Sequence, residues 1–322
     1  MHQTVLDFIR ALEEQGRHGS VESYELALRL FDGWLERQGL DPLRATADHL
    51  RAYQRWLADE YRKENGQPLL KSTQVTRLTP VLSYYRWMEQ RGLILASPGR
   101  KIKLPRLPRR QTPKDFLDLQ EATALVQTQA RKVLACPEGS RKWAEEQRDL
   151  AIVCLALATG RRRESLLTLT VPDLDIQRRE LRVEWEKGMA GRVLPVAKWA
   201  VDVCEIYLGA ARKRLLEGRE DKNWLFPGSM NERVAGESFR GMLKRLHRRA
   251  AEENPDLDGF GEKDLSPHCL RVSFATLLFR GGCNIRSINE LMLHRSLSTT
   301  ARYTPIPLED LRRACRLAHP RM

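Results

Sequence analysis

The sequence predicts a mainly α-helical chain of two domains, the second of which is α+β with a small antiparallel sheet. Its 322 residues favour two domains over one. Apolar residues recur at helical spacing through most of the chain, as at Val5, Phe8 and Leu12. Residues 180–196 instead alternate apolar and charged residues around a Gly-containing turn, a pattern that indicates a β-hairpin. Together these patterns predict two helical domains with one hairpin in the second.

The positive charge of the chain is unevenly distributed. The net charge is +13, which favours a polyanionic partner such as nucleic acid. Residues 1–98 hold 13 basic and 13 acidic side chains, whereas residues 99–113 hold six basic side chains and no acidic one. The chain therefore divides into a neutral domain 1–98, a basic segment 99–113 and a second domain 114–322.

The segment 99–113 contains three prolines and little periodicity, so it is predicted to be an extended linker. Two interpretations remain open for its charge. It is either a solvated tether or a basic strap along a DNA backbone, and the absence of acidic residues favours the strap. Its candidate DNA-binding residues are Arg100, Lys101 and Lys103.

Four helices are predicted in residues 1–98, the third over about 47–64 and the fourth from residue 72 or 73 to Gln90, stopped by Gly92. Within this otherwise neutral domain, residues 71–91 have an excess of basic side chains. Its candidate DNA-binding residues are Lys71, Arg77 and Arg86. An ordinary solvated face is the alternative.

The second domain is predicted to contain six helices and a short third strand at Trp224–Phe226. The helices are placed at 118–134, 144–158, 197–216, 235–252, 268–280 and 285–292.

Composition argues against several classes of protein. The six cysteines are scattered and none forms C-x-x-C, so a zinc site is not expected. No other metal or cofactor site is predicted. No stretch reaches the roughly 18 unbroken apolar residues of a membrane span. The first residues lack the charge and apolar pattern of a signal peptide. A reduced, cytoplasmic, nucleoid-associated setting without a membrane partner is the expectation.

Six residues of the second domain carry groups suited to one reaction. They lie in T-G-R-R-R-E (159–164), E-K-G-M (186–189), P-H-C-L-R (267–271), L-H-R-S (293–296) and T-A-R-Y (300–303). Cationic side chains hold and activate a phosphodiester, and a tyrosine can attack it. The six are Arg162, Lys187, His268, Arg271, His294 and Tyr303.

His268 and Arg271 are one helical turn apart and so share a face. Ser266 and Pro267 suit the N-cap and first position of their helix, whose N-terminal amides also favour an anion.

These motifs, in this order, resemble those of the tyrosine recombinase (phage integrase) family. The resemblance covers about residues 3–306 and implies a helical core-binding (SAM-like) domain at 1–98 and a catalytic domain at 114–322, which together clamp duplex DNA. It implies that Tyr303 forms a 3′-phosphotyrosyl link, that Arg162 and Arg271 bind the phosphate and that Lys187 protonates the departing 5′ oxygen. His268 assists proton transfer, and His294 donates to the phosphate. No cofactor is required, and a tetramer on two DNA sites is implied.

The sequence departs from the family pattern at two positions. The glutamate usually found three residues after the first arginine is Ser165 here, with Glu164 one position earlier, and the glycine usually found before the second histidine is Leu293. These departures concern packing rather than the catalytic groups.

Other interpretations stay open. A type IB topoisomerase-like enzyme that relaxes DNA and a non-catalytic DNA-binding relative are the alternatives. No N-terminal arm-binding domain is expected, and the biological role is integration, excision, movement of a mobile element or dimer resolution, with unknown accessory proteins. An apolar stripe at Leu308, Leu311, Cys315 and Ala318 predicts a tail helix that packs either on its own domain or on a neighbouring protomer.

Overall fold

A computed structural model describes residues 1–14, 18–63, 66–107, 116–183, 191–229 and 232–293 of the chain. The chain forms two compact units, Met1–Arg109 and Arg110–Met322. It is mostly helical with one small antiparallel sheet, so the predicted fold class is confirmed. None of the helices in the described ranges is long and apolar enough to cross a membrane.

The first unit contains four α-helices in its described part. They are α1 (Gln3–Glu14), α2 (His18–Arg37), α3 (Ala47–Arg55) and α4 (Lys71–Gln90). A wider π-helical turn, Trp56–Glu60, continues α3. The predicted third helix therefore ends at Glu60 rather than near residue 64.

The helices of the first unit enclose an aromatic core. Helix α1 buries a stripe at i, i+3, i+4 and i+7 that begins at Val5 and Phe8. Helix α3 begins at a capping box, in which Thr46 and His49 satisfy each other's backbone amides. Phe31 packs edge-on against Tyr53, with ring centroids 4.8 Å apart. Burial of these rings stabilises the unit.

The second unit contains eight α-helices and three strands in its described part. They are α5 (Leu119–Leu134), α6 (Arg141–Thr159), α7 (Arg163–Leu167), β1 (Leu174–Asp175), β2 (Glu180–Val183), β3 (Arg192–Pro195), α8 (Lys198–Ile206), α9 (Arg212–Leu216), α10 (Gly236–Glu253), α11 (Pro267–Arg280) and α12 (Ile285–Leu291). A π-helical turn, Tyr207–Ala211, joins α8 to α9, so the helix predicted at 197–216 is one interrupted helical run.

The sheet has the antiparallel order β1-β2-β3. Leu181 on β2 lies opposite Leu174 and Leu194, and all three are buried on one face. The predicted hairpin is present as β2 and β3. The prediction of the third strand was wrong in position: Trp224 forms only an isolated bridge with Thr170, and β1 takes the third place. Two residues are too few for β1 to show the alternation that marks a strand in a sequence.

Helices α5 and α6 are joined by a buried carboxylate, Glu146, which is 4% exposed. Lys132 and Lys142 lie 2.7 and 2.8 Å from its oxygens, and Gln129 donates to it at 2.7 Å. Burial by itself raises the pKa of Glu146, but the three hydrogen bonds together lower it to about 2. A buried charge with this many partners ties the two helices together.

Candidate active site

The first arginine motif follows a left-handed turn at Gly160. Helix α6 ends there, with Gly160 at φ 56° as its C-cap. A Cβ at this position would overlap the ring of Phe274 on α11. Only glycine therefore suits both the backbone conformation and the close approach of α11. The turn sets the direction in which the next residues leave the core.

The three consecutive arginines that follow have different surroundings. Arg161 is 4% exposed, whereas Arg162 is exposed and Arg163 is partly exposed. Arg162 has extended backbone angles at the N-cap of α7. The three side chains thus do not form one solvated patch, and Arg162, the predicted phosphate ligand, is the most accessible of them.

Helix α11 begins as the sequence predicts. The Ser266 side chain accepts a hydrogen bond from the Cys269 amide at 3.3 Å, and Pro267 occupies the first turn. His268 lies exposed at this end of the helix, and Arg271, one turn further, is 3% exposed. The helix thus presents His268 beside its N-terminal amides and draws Arg271 inwards.

Arg271 connects three segments of the second unit. Its Nη1 donates to the Gly160 carbonyl at 2.6 Å, and its Nη2 donates to the Met292 carbonyl at 2.7 Å. Gly160 directly precedes the three arginines of the first motif, and Met292 follows α12. A buried guanidinium with charge-assisted bonds to both holds these segments against α11.

His268 lies within electrostatic range of both arginines. Loss of hydration lowers the pKa of His268 below its ordinary value, and the charges of Arg271 and then Arg162 lower it further. The imidazole is therefore neutral near pH 7 and able to accept a proton. Of the six predicted site residues, the structure brings Arg162, His268 and Arg271 together.

Lys187, His294 and Tyr303 lie outside the described residues. The chain on either side of Lys187 is described, since β2 ends at Val183 and β3 begins at Arg192. An ion pair between Arg192 and Glu290 joins β3 to α12. No local pattern indicates this ion pair, because its partners are far apart in the chain.

Leu293, the residue before His294, has a left-handed backbone with φ 52°. This conformation is unfavourable for a leucine and suits glycine. The leucine side chain is partly buried against the core of the second unit. The departure noted in the sequence thus places a strained but packed residue where the family pattern has glycine.

The candidate DNA-binding residues of α4 do not share one face. Lys71 and Arg86 are exposed, whereas Arg77 is partly buried and close enough to Tyr53 to affect its pKa. Arg77 and Arg86 are nine residues apart, about two and a half helical turns, and so point to opposite sides of the helix. Of the three candidates on α4, Lys71 and Arg86 are the pair suited to contact the same DNA surface.

The start of the basic segment packs on the first unit. Pro98–Lys101 forms a short 3₁₀ helix, and Gln54 donates to the Lys103 carbonyl at 3.0 Å. Arg100 forms an ion pair with Glu89, while Lys101 and Lys103 are exposed. Residues 108–113 of the predicted linker lie outside the described residues.

One basic surface was not predicted from the sequence. Helix α10 buries Phe239, Leu243 and Leu246 and exposes basic residues on its other side. The exposed basic residues are Arg240, Lys244, Arg245, Arg248 and Arg249. Four of them lie 2.8 to 4.0 Å from an acidic side chain, so the face is only partly neutralised by its own carboxylates. The recurrence of basic residues at 240, 244 and 248 is a helical period that could have identified this face.

The described residues contain no group of three His, Cys, Asp or Glu side chains that could hold a metal ion. The groups suited to bind a ligand at this site are cationic and would hold an anion.

Comparison with known proteins adds an independent finding. The phage integrase family model matches residues 117–307. Tyrosine recombinase XerC 2 of Ralstonia nicotianae is 31% identical over 302 residues, which cover 94% of this chain and 80% of that protein. Tyrosine recombinase XerD of Corynebacterium glutamicum is 30% identical over 313 residues, which cover 97% of this chain and 95% of that protein.

A solved structure of the Tn1549 transposon integrase with transposon right end DNA has a similar fold. Its TM-score is 0.68 at 17% identity, with 98% of this chain and 100% of that chain covered. The fold of this chain is thus similar to that of the transposon integrase.

Proposed function

Because the chain belongs to the phage integrase family of tyrosine recombinases, we propose that its Tyr303 is the nucleophile that cuts DNA. The chain is a site-specific DNA recombinase. The Tyr303 oxygen attacks the scissile phosphorus and forms a 3′-phosphotyrosyl ester, while the bond from phosphorus to the 5′ oxygen breaks. A 5′-hydroxyl of the partner strand then attacks this ester and releases Tyr303. The ester keeps the bond energy, so the cycle balances without a further reactant.

The other site residues stabilise the negative charge on the phosphate and transfer protons. Arg162 and Arg271 hold the non-bridging oxygens and stabilise the charge of the transition state. His268 takes up the tyrosyl proton, and Lys187 gives a proton to the departing 5′ oxygen. His294 donates a hydrogen bond to the phosphate.

The observation that carries this assignment is the convergence of Arg162, His268 and Arg271. They come from two separate motifs, yet both arginines lower the pKa of His268. Two cations beside a neutral imidazole, at the N-terminal end of α11, match the needs of phosphoryl transfer.

Double-stranded DNA is the partner of the enzyme. We propose that two exposed surfaces contact its backbone: the α4 residues Lys71 and Arg86, and the linker residues Arg100, Lys101 and Lys103. The basic face of α10 supports a third contact in the second unit. Phosphate contacts of this kind fix the position of the protein without reading the sequence.

The active assembly is proposed to be a tetramer on two DNA sites in the cytoplasm, at the nucleoid. The tail stripe from Leu308 to Ala318 would connect neighbouring protomers, with packing on its own unit as the alternative. Truncation after Pro307 is then expected to keep binding to one site and to weaken cooperative assembly on paired sites in a gel-shift titration. Unchanged cooperativity would mean that the tail does not connect subunits.

The role is proposed to be either resolution of DNA dimers or integration and excision of a mobile element. The similar fold of the Tn1549 transposon integrase supports the second of these roles. A plasmid with two copies of the target site tests the reaction itself. Exchange of the DNA between the sites is expected, whereas relaxed plasmid as the sole product would support topoisomerase-like activity.

A further inference from the structure

An ion-pair network joins the arginine motif to helix α10. Arg163 Nε lies 3.0 Å from Oε1 of Glu164, and its Nη1 lies 3.2 Å from Oε1 of Glu237 in the first turn of α10. Arg233, just before α10, lies 3.3 Å from the other oxygen of Glu164. Two carboxylates and two guanidinium groups thus alternate across the gap between α7 and α10.

The backbone of α10 is shaped for this contact. A Cβ on Gly236, the first residue of α10, would lie 2.9 Å from Cζ of Arg163. The glycine therefore lets the guanidinium lie across the beginning of the helix. A cation at a helix N-terminus is unfavourable by itself, and Glu237 and Glu164 supply the compensating negative charge.

Arg163 is also the direct neighbour of the predicted phosphate ligand. Arg162 is the N-cap of α7 and has an exposed side chain, so its position depends on the backbone of the turn at Gly160 and of α7. Helix α7 has five residues and is anchored in the core by Leu166 and Leu167, which are 1% and 0% exposed. Both anchors lie at the end of the helix away from Arg162. The network adds a contact with α10 at the other end of α7, one residue from Arg162.

We propose that Arg163 is a positioning residue. Through Glu164 and Glu237 it holds Arg162 in register with α10, so that DNA seated on the basic face of α10 presents its phosphate to Arg162. This inference rests on the proposed function, in which Arg162 binds the scissile phosphate. It also gives a role to Glu164, which lies next to the position where the sequence departs from its family.

A charge-exchange cycle tests the inference. The variants are Arg163→Glu, Glu237→Arg and the double exchange, assayed in the full chain by single-turnover cleavage of a nicked substrate at saturating DNA. Exposed ion pairs are individually weak, so Arg163→Glu is expected to slow cleavage by roughly three- to tenfold. The double exchange is expected to recover most of that loss, because it restores a pair of opposite charges between positions 163 and 237. The cycle separates this pair term from the effect that each charge has alone.

Two controls make the result specific. Arg178→Glu makes the same change of charge at a residue that pairs locally with Asp175, and it is expected to leave the cleavage rate unchanged. The dissociation constant for the substrate DNA is measured separately. It should rise by the same factor in Arg163→Glu and Arg178→Glu.

Several results would overturn the inference. An unchanged cleavage rate in Arg163→Glu, no recovery in the double exchange, or an equal loss in Arg178→Glu would each do so. Arg162→Ala distinguishes this failure from failure of the proposed function: if it cleaves normally, Arg162 is not the phosphate ligand, whereas a large loss there leaves the proposed function standing.

Discussion

The two units of the chain build their cores from different side chains. The first unit buries large aromatic rings, and the ring pairs described in the structure lie mostly there. The second unit has a largely aliphatic core, and its described part also buries several acidic and basic side chains. In the described core of the first unit, Asp32 is the one such side chain. The buried charged residues of the second unit are Glu121, Glu146, Arg161, Arg212 and Arg271.

Buried rings and buried charges contribute differently to a fold. Burial of aromatic rings is driven by the non-directional hydrophobic effect, so it stabilises the first unit without the need for many buried charges. Buried ions are costly unless their partners are well placed, and so they fix geometry more than they add stability. Arg271 illustrates this, since one guanidinium joins the turn at Gly160 to the end of α12.

The largest expected effect concerns the two proposed phosphate ligands. Arg162→Ala and Arg271→Ala should each slow cleavage by at least about 10²- to 10³-fold, since a preorganised donor to the developing charge is removed. Single-turnover assays on a nicked substrate measure this. Arg161→Ala and Arg163→Ala should change the rate far less, and a larger effect at either would show that the register of the motif is wrong.

Acid should loosen the second unit before the first. Glu146 has a folded pKa of about 2 against an ordinary value of 4.5, so its stabilisation is complete above pH 4.5 and is lost as the pH falls towards 2. Glu146→Gln is expected to lower the unfolding free energy at pH 7 by about 2 kcal/mol. Hydrogen exchange should show the change in α5 and α6 and not in α1–α4. Uniform loosening of both units would contradict this difference.

The linker residues give a smaller, salt-dependent effect. Lys101→Gln and Lys103→Gln should weaken binding to specific and random duplex about equally. They should also make the salt dependence shallower, by up to about 0.9 for each phosphate that is no longer neutralised. Arg100→Gln should do less, because Glu89 already pairs with Arg100. An unchanged slope in all three variants would mean that the segment is a tether.

The smallest effect is expected at Leu293. Leu293→Gly removes both the backbone strain and the packed side chain, so the two effects, each about 1 kcal/mol, should nearly cancel. Leu293→Ala keeps the strain without the packing, so it should be less stable than the glycine variant. Thermal unfolding of both variants decides this, and an alanine variant as stable as the glycine one would contradict the strain.

Local sequence patterns predicted most of the helices and strands, but they did not predict contacts between residues that are far apart in the chain. The helical periods and the cap at Ser266 are properties of neighbouring residues, so they were visible in the sequence. The strand Leu174–Asp175 is too short to show a pattern. Pairs such as Arg163 with Glu237 join distant positions through the fold and leave no local signal.

The site was predictable to a similar extent. The order of the motifs predicted Arg162, His268 and Arg271 as site residues, and in the structure both arginines lie close enough to His268 to lower its pKa. The burial of Arg161 and the bridging bonds of Arg271 depend on how α6, α11 and α12 pack, which composition and spacing do not specify.

Covalent capture of DNA by Tyr303 tests the central assignment most directly. A nicked suicide substrate lets the cut strand diffuse away, so wild-type protein should accumulate as a covalent protein–DNA adduct on a denaturing gel. Tyr303→Phe should bind the same DNA with similar affinity and form no adduct, because it lacks the attacking oxygen. An undiminished adduct in Tyr303→Phe would contradict the assignment.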